Sequence, residues 1–174
     1  MATDINAYWD EFMEAVAEAD QPRRAFEVLQ RITEETVGTK LFTAMTYDAV
    51  AGLARRTYSG NETAYPTGGF KPMSIGIWSE TVIEKRQPYV SNTIEQIAEV
   101  FSDWPLIQSL GCESGCNIPV VVAGAVVGTL NLLDVKGHYT PERMAIAMQL
   151  RPFAAIAFMA TDKAAARDAA RGAA

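Results

Sequence analysis

The sequence predicts an α+β fold in which an antiparallel β-sheet carries helices on one face and an irregular excursion of loops and short helices on the other. Two apolar, β-branched runs flank Ala123-Gly124 and predict a β-hairpin over residues 118–134. Amphipathic helical patterns lie near both ends of the chain, and residues 60–115 are broken repeatedly by Gly and Pro. This order of elements groups the terminal helices on one side of the sheet and the excursion on the other.

The N-terminal region predicts two helices. Apolar residues recur at helical spacing from Ile5 to Val16, with acidic residues largely on the other side. The segment Asp20-Gln21-Pro22 predicts the start of a second helix, because a carboxylate can cap a helix and proline is tolerated in its first turn. Gly38 is expected to end that helix.

Two β-rich segments follow, from Leu41 to Asp48 and from Gly52 to Ser59, and a short turn between them predicts a second hairpin. Arg55 and Arg56 occupy opposite faces of its second strand, because side chains alternate along a strand. Either one of them points toward a cavity or both are solvated near a strand end.

The excursion contains patterns of short elements. Ser79 to Arg86, Thr93 to Phe101 and Trp104 to Leu110 predict short helices, and Tyr89-Val90 predicts a short strand. Long excursions in compact domains are often binding loops or lids. Its many aromatic residues either roof a pocket or form a satellite core.

The C-terminal region predicts a final helix that begins at Thr140-Pro141-Glu142, a common start signal. Pro152 is expected to kink this helix or to end a first segment. The alanine-rich residues 161–174 predict an exposed helical extension that either frays or is steadied by a partner chain.

Pairing in the central hairpin predicts which residues share a face. With Ala123-Gly124 as the turn, Cys116 lies opposite Asn131 and Ile118 lies opposite Thr129. Cys116, Thr129 and Asn131 then share a face that is polar at one end, which predicts the floor of a cavity, although small core residues with satisfied hydrogen bonds would give the same pattern. The other face is nearly all apolar and is expected to pack under helices. Its members are Asn117, Pro119, Val121, Val126, Gly128, Leu130 and Leu132.

Composition excludes several classes of function. A net charge of −6 without a cluster of Lys and Arg disfavours nucleic acid as a partner. The N-terminus has no secretory pattern and no apolar run reaches the roughly 20 residues of a membrane span, so we expect a cytoplasmic protein with no membrane partner. Two cysteines and one histidine are too few for a recognisable zinc site, so no metal is expected.

The loop from Gly111 to Asn117 places Cys112, Glu113, Ser114 and Cys116 between glycines. Three interpretations stay open: close packing in a tight turn, a ligand-contacting loop, and a catalytic or redox site that uses Cys112 or Cys116. A nucleophilic thiol needs a lowered pKa, usually from a histidine, a cation or a helix N-terminus. The side chains available for that role are Arg55, Arg56 and His138.

The chain resembles the GAF domain family over roughly residues 22–160. The similarity rests on Gly76-Ile77-Trp78 through Pro88-Tyr89-Val90, and on Asn117-Ile118-Pro119-Val120 with Gly128-Thr129-Leu130-Asn131-Leu132. It implies a GAF-like domain at 22–160, preceded by an N-terminal helix at 1–21 and followed by the tail at 161–174. It also implies a cavity beneath residues 61–115.

GAF domains are mostly sensors of small molecules, so the resemblance implies a sensory module that acts through dimerisation or a partner protein. It identifies no cofactor: neither cysteine is followed by the histidine usual at bilin attachment sites, and His138 near a turn is a poor haem ligand. The expected ligand-contacting residues are Tyr65, Trp78, Trp104, Cys112, Glu113, Ser114, Cys116, Thr129 and Asn131. The alternatives are a small cysteine-dependent enzyme on the same scaffold, either redox like the family's methionine sulfoxide reductases or hydrolytic, and a structural adaptor without a pocket.

Apolar residues in the terminal helices predict a homodimer. Trp9 and Phe12 lie on an amphipathic helix outside the matched region, and with the alanine-rich tail they exceed what one small sheet is expected to cover. The alternative is that the first helix folds back on its own sheet and the tail frays.

Overall fold

A computed structural model describes residues 4–48, 50–73 and 75–173. Its centre is a six-stranded antiparallel sheet, with the strands β1 (Leu41–Asp48), β2 (Leu53–Ser59), β3 (Gly68–Pro72), β4 (Tyr89–Ser91), β5 (Ser114–Val122) and β6 (Ala125–Asp134). Their order across the sheet is β3-β2-β1-β6-β5-β4. The predicted α+β fold is confirmed.

Terminal helices cover one face of the sheet and enclose the main core. They are α1 (Trp9–Ala17), α2 (Arg23–Thr36), α6 (Pro141–Ala147) and α7 (Arg151–Gly172). The excursion supplies three shorter helices, α3 (Ile77–Ser79), α4 (Ile94–Ala98) and α5 (Trp104–Ser109), and α3 continues as a π-helical turn over Glu80–Glu84. A second, smaller core lies beneath the excursion and contains Leu41, Tyr65, Ile97, Ile107 and Cys112.

The start of α6 and the break before α7 follow the sequence signals, whereas the start of α2 does not. Thr140 caps α6, its hydroxyl accepting from the Arg143 amide at 3.4 Å. α6 ends before a short 3-10 turn and α7 begins at Arg151, so the prediction that Pro152 would end a first segment is confirmed. The predicted N-cap role of Asp20 is wrong: α2 begins at Arg23, and the Asp20 carboxylate instead accepts from Arg23 Nε at 2.7 Å.

Helix α1 packs into the main core of its own chain. Phe12 is completely buried, and its ring meets the Phe153 ring edge-on with the centroids 5.0 Å apart. The Trp9 ring stacks on the Phe153 ring with the centroids 3.8 Å apart. Helix α1 therefore packs against its own chain, and the two aromatic rings on which the dimer prediction depended are largely covered without a partner.

The C-terminal helices are more apolar than the sequence reading allowed. The stretch Pro141–Gly172 is 32 residues long, and by length and composition alone it is long and apolar enough to cross a membrane. The prediction that no apolar run reaches the length of a membrane span is therefore wrong for this stretch. Its inner side is nevertheless buried in the main core through Phe153, Ala154, Ala157 and Phe158. Beyond Thr161 the helix stays continuous, and Arg167 Nη2 donates to the Ala19 carbonyl at 3.2 Å.

The central hairpin turns where predicted but contains a β-bulge. Ala123 and Gly124 both have positive φ, 48° and 81°, and Val122 pairs with Ala125 as expected. The register then shifts between Val120 and Val121, because Val127 is an extra residue on β6. Beyond the bulge, the predicted pairing is wrong by one residue.

That shift exchanges the faces of most of β5. Asn117 now lies opposite Asn131 and joins it on the excursion side, whereas Cys116 lies opposite Leu132. The Cys116 and Ile118 side chains belong to the main core under the helices. The predicted placement of the Cys116 side chain on the cavity floor, and of Asn117 under the helices, is therefore corrected.

Candidate functional site

A cavity of about 150 Å³ lies between the sheet and the excursion. The inward-facing residues of β1 and β2 form part of its floor, and β5 and β6 form the rest. Aromatic and aliphatic side chains of the excursion close it from the other side. The apolar residues around it are Leu41, Met45, Tyr65, Trp78, Ile97, Phe101, Ile107 and Leu133.

A hydrogen-bonded network crosses the floor of this cavity. The Trp78 indole Nε1 donates to Asn117 Oδ1 at 3.0 Å, and Asn117 Nδ2 donates to Asn131 Oδ1 at 2.7 Å. The Thr129 hydroxyl donates to the same Asn131 oxygen at 2.9 Å and lies 3.2 Å from the Tyr47 hydroxyl. Burial raises the pKa of Tyr47 to about 12, so its phenol stays neutral at physiological pH.

Arg56 is a cationic residue that lines this cavity. Its guanidinium carbon lies 4.8 Å from the centroid of the Tyr65 ring, and its Nη1 donates to the Pro66 carbonyl at 3.2 Å. Tyr65 in turn donates its hydroxyl to Asp103 Oδ2 at 2.8 Å. Burial and this carboxylate both raise the pKa of Tyr65 above its ordinary value.

The two arginines of strand β2 lie on opposite faces of the sheet. Arg56 pairs with Met45 and lines the cavity, whereas Arg55 is exposed and lies over the Phe70 ring at 5.7 Å. One arginine therefore faces the cavity and its neighbour faces away.

Comparison with known proteins agrees with this architecture. The profile of the GAF domain matches residues 21–158, which is more than half of the chain. This chain belongs to the GAF domain family. No curated protein matches it significantly.

Solved structures share the fold at low sequence identity. The GAF domain of a two-component sensor histidine kinase from Bacillus halodurans has a TM-score of 0.67 and 13% identity, covering 83% of this chain and 97% of that one. The GAF domain of a phosphoenolpyruvate-protein phosphotransferase from Coxiella burnetii has a TM-score of 0.63 and 16% identity, covering 99% of each chain. A type II free methionine-R-sulfoxide reductase from Thermoplasma acidophilum has a TM-score of 0.58 and 12% identity, covering 76% of this chain and 89% of that one. At these identities the likeness shows the fold alone.

The cavity of this GAF domain gathers part of the predicted ligand-contacting set. Tyr65, Trp78 and Asn131 line it, and Thr129 lies within the hydrogen-bonded network. Cys116 borders the cavity, but its thiol packs in the core on the far side of the sheet, so only its backbone can face a ligand.

Four predicted residues lie outside the cavity lining. Cys112 is buried in the smaller core beneath the excursion. The Ser114 hydroxyl donates to the Val135 carbonyl at 2.6 Å. Trp104 is 37% exposed at the start of α5. The Glu113 amide donates to the Asp134 carbonyl at 2.9 Å as the chain enters β5. The loop at 111–117 thus connects elements tightly without presenting the side chains of Cys112, Glu113 or Ser114 to the cavity, and Trp104 lies apart from it on α5.

Several polar members of the site were not predicted from the sequence. They include Tyr47, Asn117 and, as a definite member, Arg56. Alternation along β1 would have placed Tyr47 on one face with Thr43 and Met45, which both line the cavity. Asn117 had no such signal, because its face depends on the bulge at Val127.

The two thiols lack the surroundings that activate a nucleophile. Burial raises the pKa of Cys116, with no neighbouring cation to oppose it, and raises the pKa of Cys112 despite an opposing effect of Lys40. His138 is engaged elsewhere, with Nε2 3.1 Å from the carbonyl oxygens of Val37 and Gly38. Within the described ranges no group of three or more His, Cys, Asp or Glu side chains is arranged to hold a metal ion.

These raised pKa values predict that the GAF domain loses stability at alkaline pH. The folded state holds the Cys116 proton more tightly than the unfolded state does, so this stabilisation is fully present below the ordinary thiol pKa of 9.0 and is lost as the pH rises above it. Above that pH, each such thiol lowers the free energy of unfolding by about 1.4 kcal/mol for every further pH unit, as long as it stays protonated in the folded state. We expect urea midpoints to fall between pH 8 and pH 10 and to fall less steeply in Cys116→Ala. Equal slopes in the two proteins would contradict this assignment.

Proposed function

We propose that this GAF domain is a sensory module that binds a small molecule in the cavity between the sheet and the excursion. The observation that carries the proposal is the composition of the cavity, where apolar and aromatic walls surround a few convergent polar groups. That combination is typical of small-molecule sites. The GAF domain of a sensor histidine kinase has a similar fold, which supports the sensory assignment by analogy.

The size of the cavity limits the ligand. A cavity of about 150 Å³ holds a molecule of roughly the size of benzene. We therefore propose a ligand with a single ring or a short branched chain, smaller than haem, a bilin or a cyclic nucleotide.

Native mass spectrometry of the purified chain tests this proposal, with Ala54→Leu as the variant. Ala54 is 2% exposed, lies opposite Tyr47 and lines the cavity, so a leucine there fills part of the volume. Ala165→Leu, on the exposed side of α7, is the matched control. We expect a low-mass adduct on the wild type and on Ala165→Leu that is lost from Ala54→Leu. Absence of any adduct, even after incubation with cell extract metabolites, or an adduct that Ala54→Leu retains, would contradict the proposal.

We further propose that the signal leaves through the terminal helices and that the chain works as a homodimer. With Trp9 and Phe12 covered, the support that remains is the outer side of α7, which is rich in alanine and exposes 47% of Met159. Paired helices give a self-complementary patch of the kind that twofold dimers use.

Light scattering on the purified chain tests the dimer. At tens of micromolar, where an interface of modest size is occupied, we expect the mass of two chains. Met159→Asp should shift the protein toward monomer, whereas Ala169→Asp, at an exposed position nearer the end of the helix, should have a smaller effect. A wild-type monomer at these concentrations would contradict the dimer.

A further inference from the structure

Arg56 is a cation in the cavity wall that has no acidic partner among the described residues. Its one hydrogen bond there runs from Nη1 to the Pro66 carbonyl at 3.2 Å. Nε is buried and has no acceptor, and Nη2 makes no hydrogen bond to the part of the chain that the structure describes. A buried donor without an acceptor is costly, and such groups are rare in folded proteins. The edge of the guanidinium formed by Nε and Nη2 is thus left without a partner.

The two asparagine amide oxygens of the cavity already accept hydrogen bonds. Asn131 Oδ1 accepts from both Asn117 and Thr129, and Asn117 Oδ1 accepts from the Trp78 indole. The Asp103 carboxylate, which also lines the cavity, accepts from Tyr65 at 2.8 Å through Oδ2. A ligand therefore meets amide oxygens that are already bonded to the protein, and one carboxylate.

Donors, in contrast, remain available around the same cavity. Besides the free edge of Arg56, the buried Ser91 hydroxyl lines the cavity without a hydrogen-bond partner, and each asparagine amide has a second N–H. Lys71, an exposed residue of β3, also borders the cavity. The donors, together with two cationic residues against the single carboxylate of Asp103 in the described lining, favour an anionic ligand that is rich in acceptors.

The geometry of the free guanidinium edge of Arg56 indicates which kind of anion fits it. Two parallel N–H groups of a guanidinium match the two oxygens of a carboxylate, which gives a bidentate pair. The rest of the wall is apolar, through residues such as Met45, Ile97 and Ile107. A compact apolar body would therefore pack against the excursion while the acid group meets Arg56.

From this geometry we propose that the ligand is a small monocarboxylate with a compact apolar body, and that its carboxylate pairs with Arg56. This inference rests on the proposed function, because it assigns the chemistry of the same cavity. In this proposal Arg56 determines the chemical class of the ligand, and Trp78 is part of the wall around the ligand's apolar body.

Calorimetric titration with benzoate and with benzamide tests the inference. The two probes share size and shape, but only benzoate carries a charge. We expect benzamide to bind at least about tenfold more weakly, because a hydrogen bond to a charged group contributes far more than a neutral one. Arg56→Gln should weaken benzoate to the level of benzamide, and Arg56→Lys should give an intermediate loss because it keeps the charge but not the planar edge.

Arg55→Gln is the matched control, since Arg55 is exposed on the opposite face of the same strand. It should leave benzoate binding unchanged, and thermal melts should show that each variant is folded. Equal binding of the two probes, abolished by Ala54→Leu, would overturn the carboxylate assignment while leaving the proposed function intact. Binding of neither probe to the wild type would also overturn it, and the native mass spectrum would then decide the proposed function separately.

Discussion

Gly128→Val is expected to lower the free energy of unfolding by about 3 kcal/mol, the upper end of the range typical of overpacked cores. A Cβ at this position would clash with Phe158 Cζ and lie 2.5 Å from the Met45 carbonyl oxygen. The Phe158 ring can move, but the Met45 oxygen belongs to the backbone of the neighbouring strand β1. The glycine therefore lets α7 lie close against the sheet.

Urea denaturation measures this effect, and Gly128→Ala should already show a large part of it, because the clash begins at Cβ. Gly172→Ala is the control, since nothing lies within 4 Å of a Cβ added there. It should be neutral or slightly stabilising in a helix. An unchanged midpoint with an unchanged m-value in Gly128→Val would exclude the close packing of Phe158 on β6.

Phe12→Ala is expected to cost about 3–5 kcal/mol, the usual range for deleting a buried phenylalanine ring. The side chain is completely buried and packs edge-on against Phe153. Loss of the ring leaves a void between α1 and α7 that the helices can close only partly. The expected result is a large drop in the urea midpoint.

Met13→Ala is the matched control, because Met13 follows Phe12 on the same helix and is 46% exposed. It should change stability by less than about 0.5 kcal/mol, as surface substitutions usually do. If the two substitutions had similarly small effects on stability, α1 would contribute little to the core. The predicted outcome instead makes α1 part of the core, although the family match begins only at residue 21.

Much of the fold could be predicted from local sequence signals. Thr140-Pro141 marks the start of α6, and Ala123-Gly124 marks the hairpin turn, because each depends on residues within a few positions of itself. The bulge at Val127 has no comparable signal: valine fits both a regular strand and a bulge. One extra residue there was enough to exchange the faces of Cys116 and Asn117.

The site was harder to predict, because its members meet only through long-range packing. Periodicity places Arg55 and Arg56 on opposite faces of β2, but it does not say which face borders the excursion. The cysteine-containing loop looked chemically distinctive, yet Cys112 and Ser114 are used for packing and for a backbone hydrogen bond. Residue types that suggest chemistry in a sequence therefore need the tertiary arrangement to decide between a structural and a functional role.

The most direct test of the central claim, a small-molecule site beneath the excursion, is a ¹H–¹⁵N spectrum of the three tryptophan indoles during titration with benzoate and with benzamide. Trp78 lines the cavity and donates to Asn117, whereas Trp9 stacks on Phe153 in the helix-side core and Trp104 is 37% exposed. The account predicts a saturable shift of the Trp78 indole resonance, with Trp9 and Trp104 unchanged. A Trp78 resonance that does not move while calorimetry shows a probe to bind, or shifts confined to Trp9 or Trp104, would contradict it.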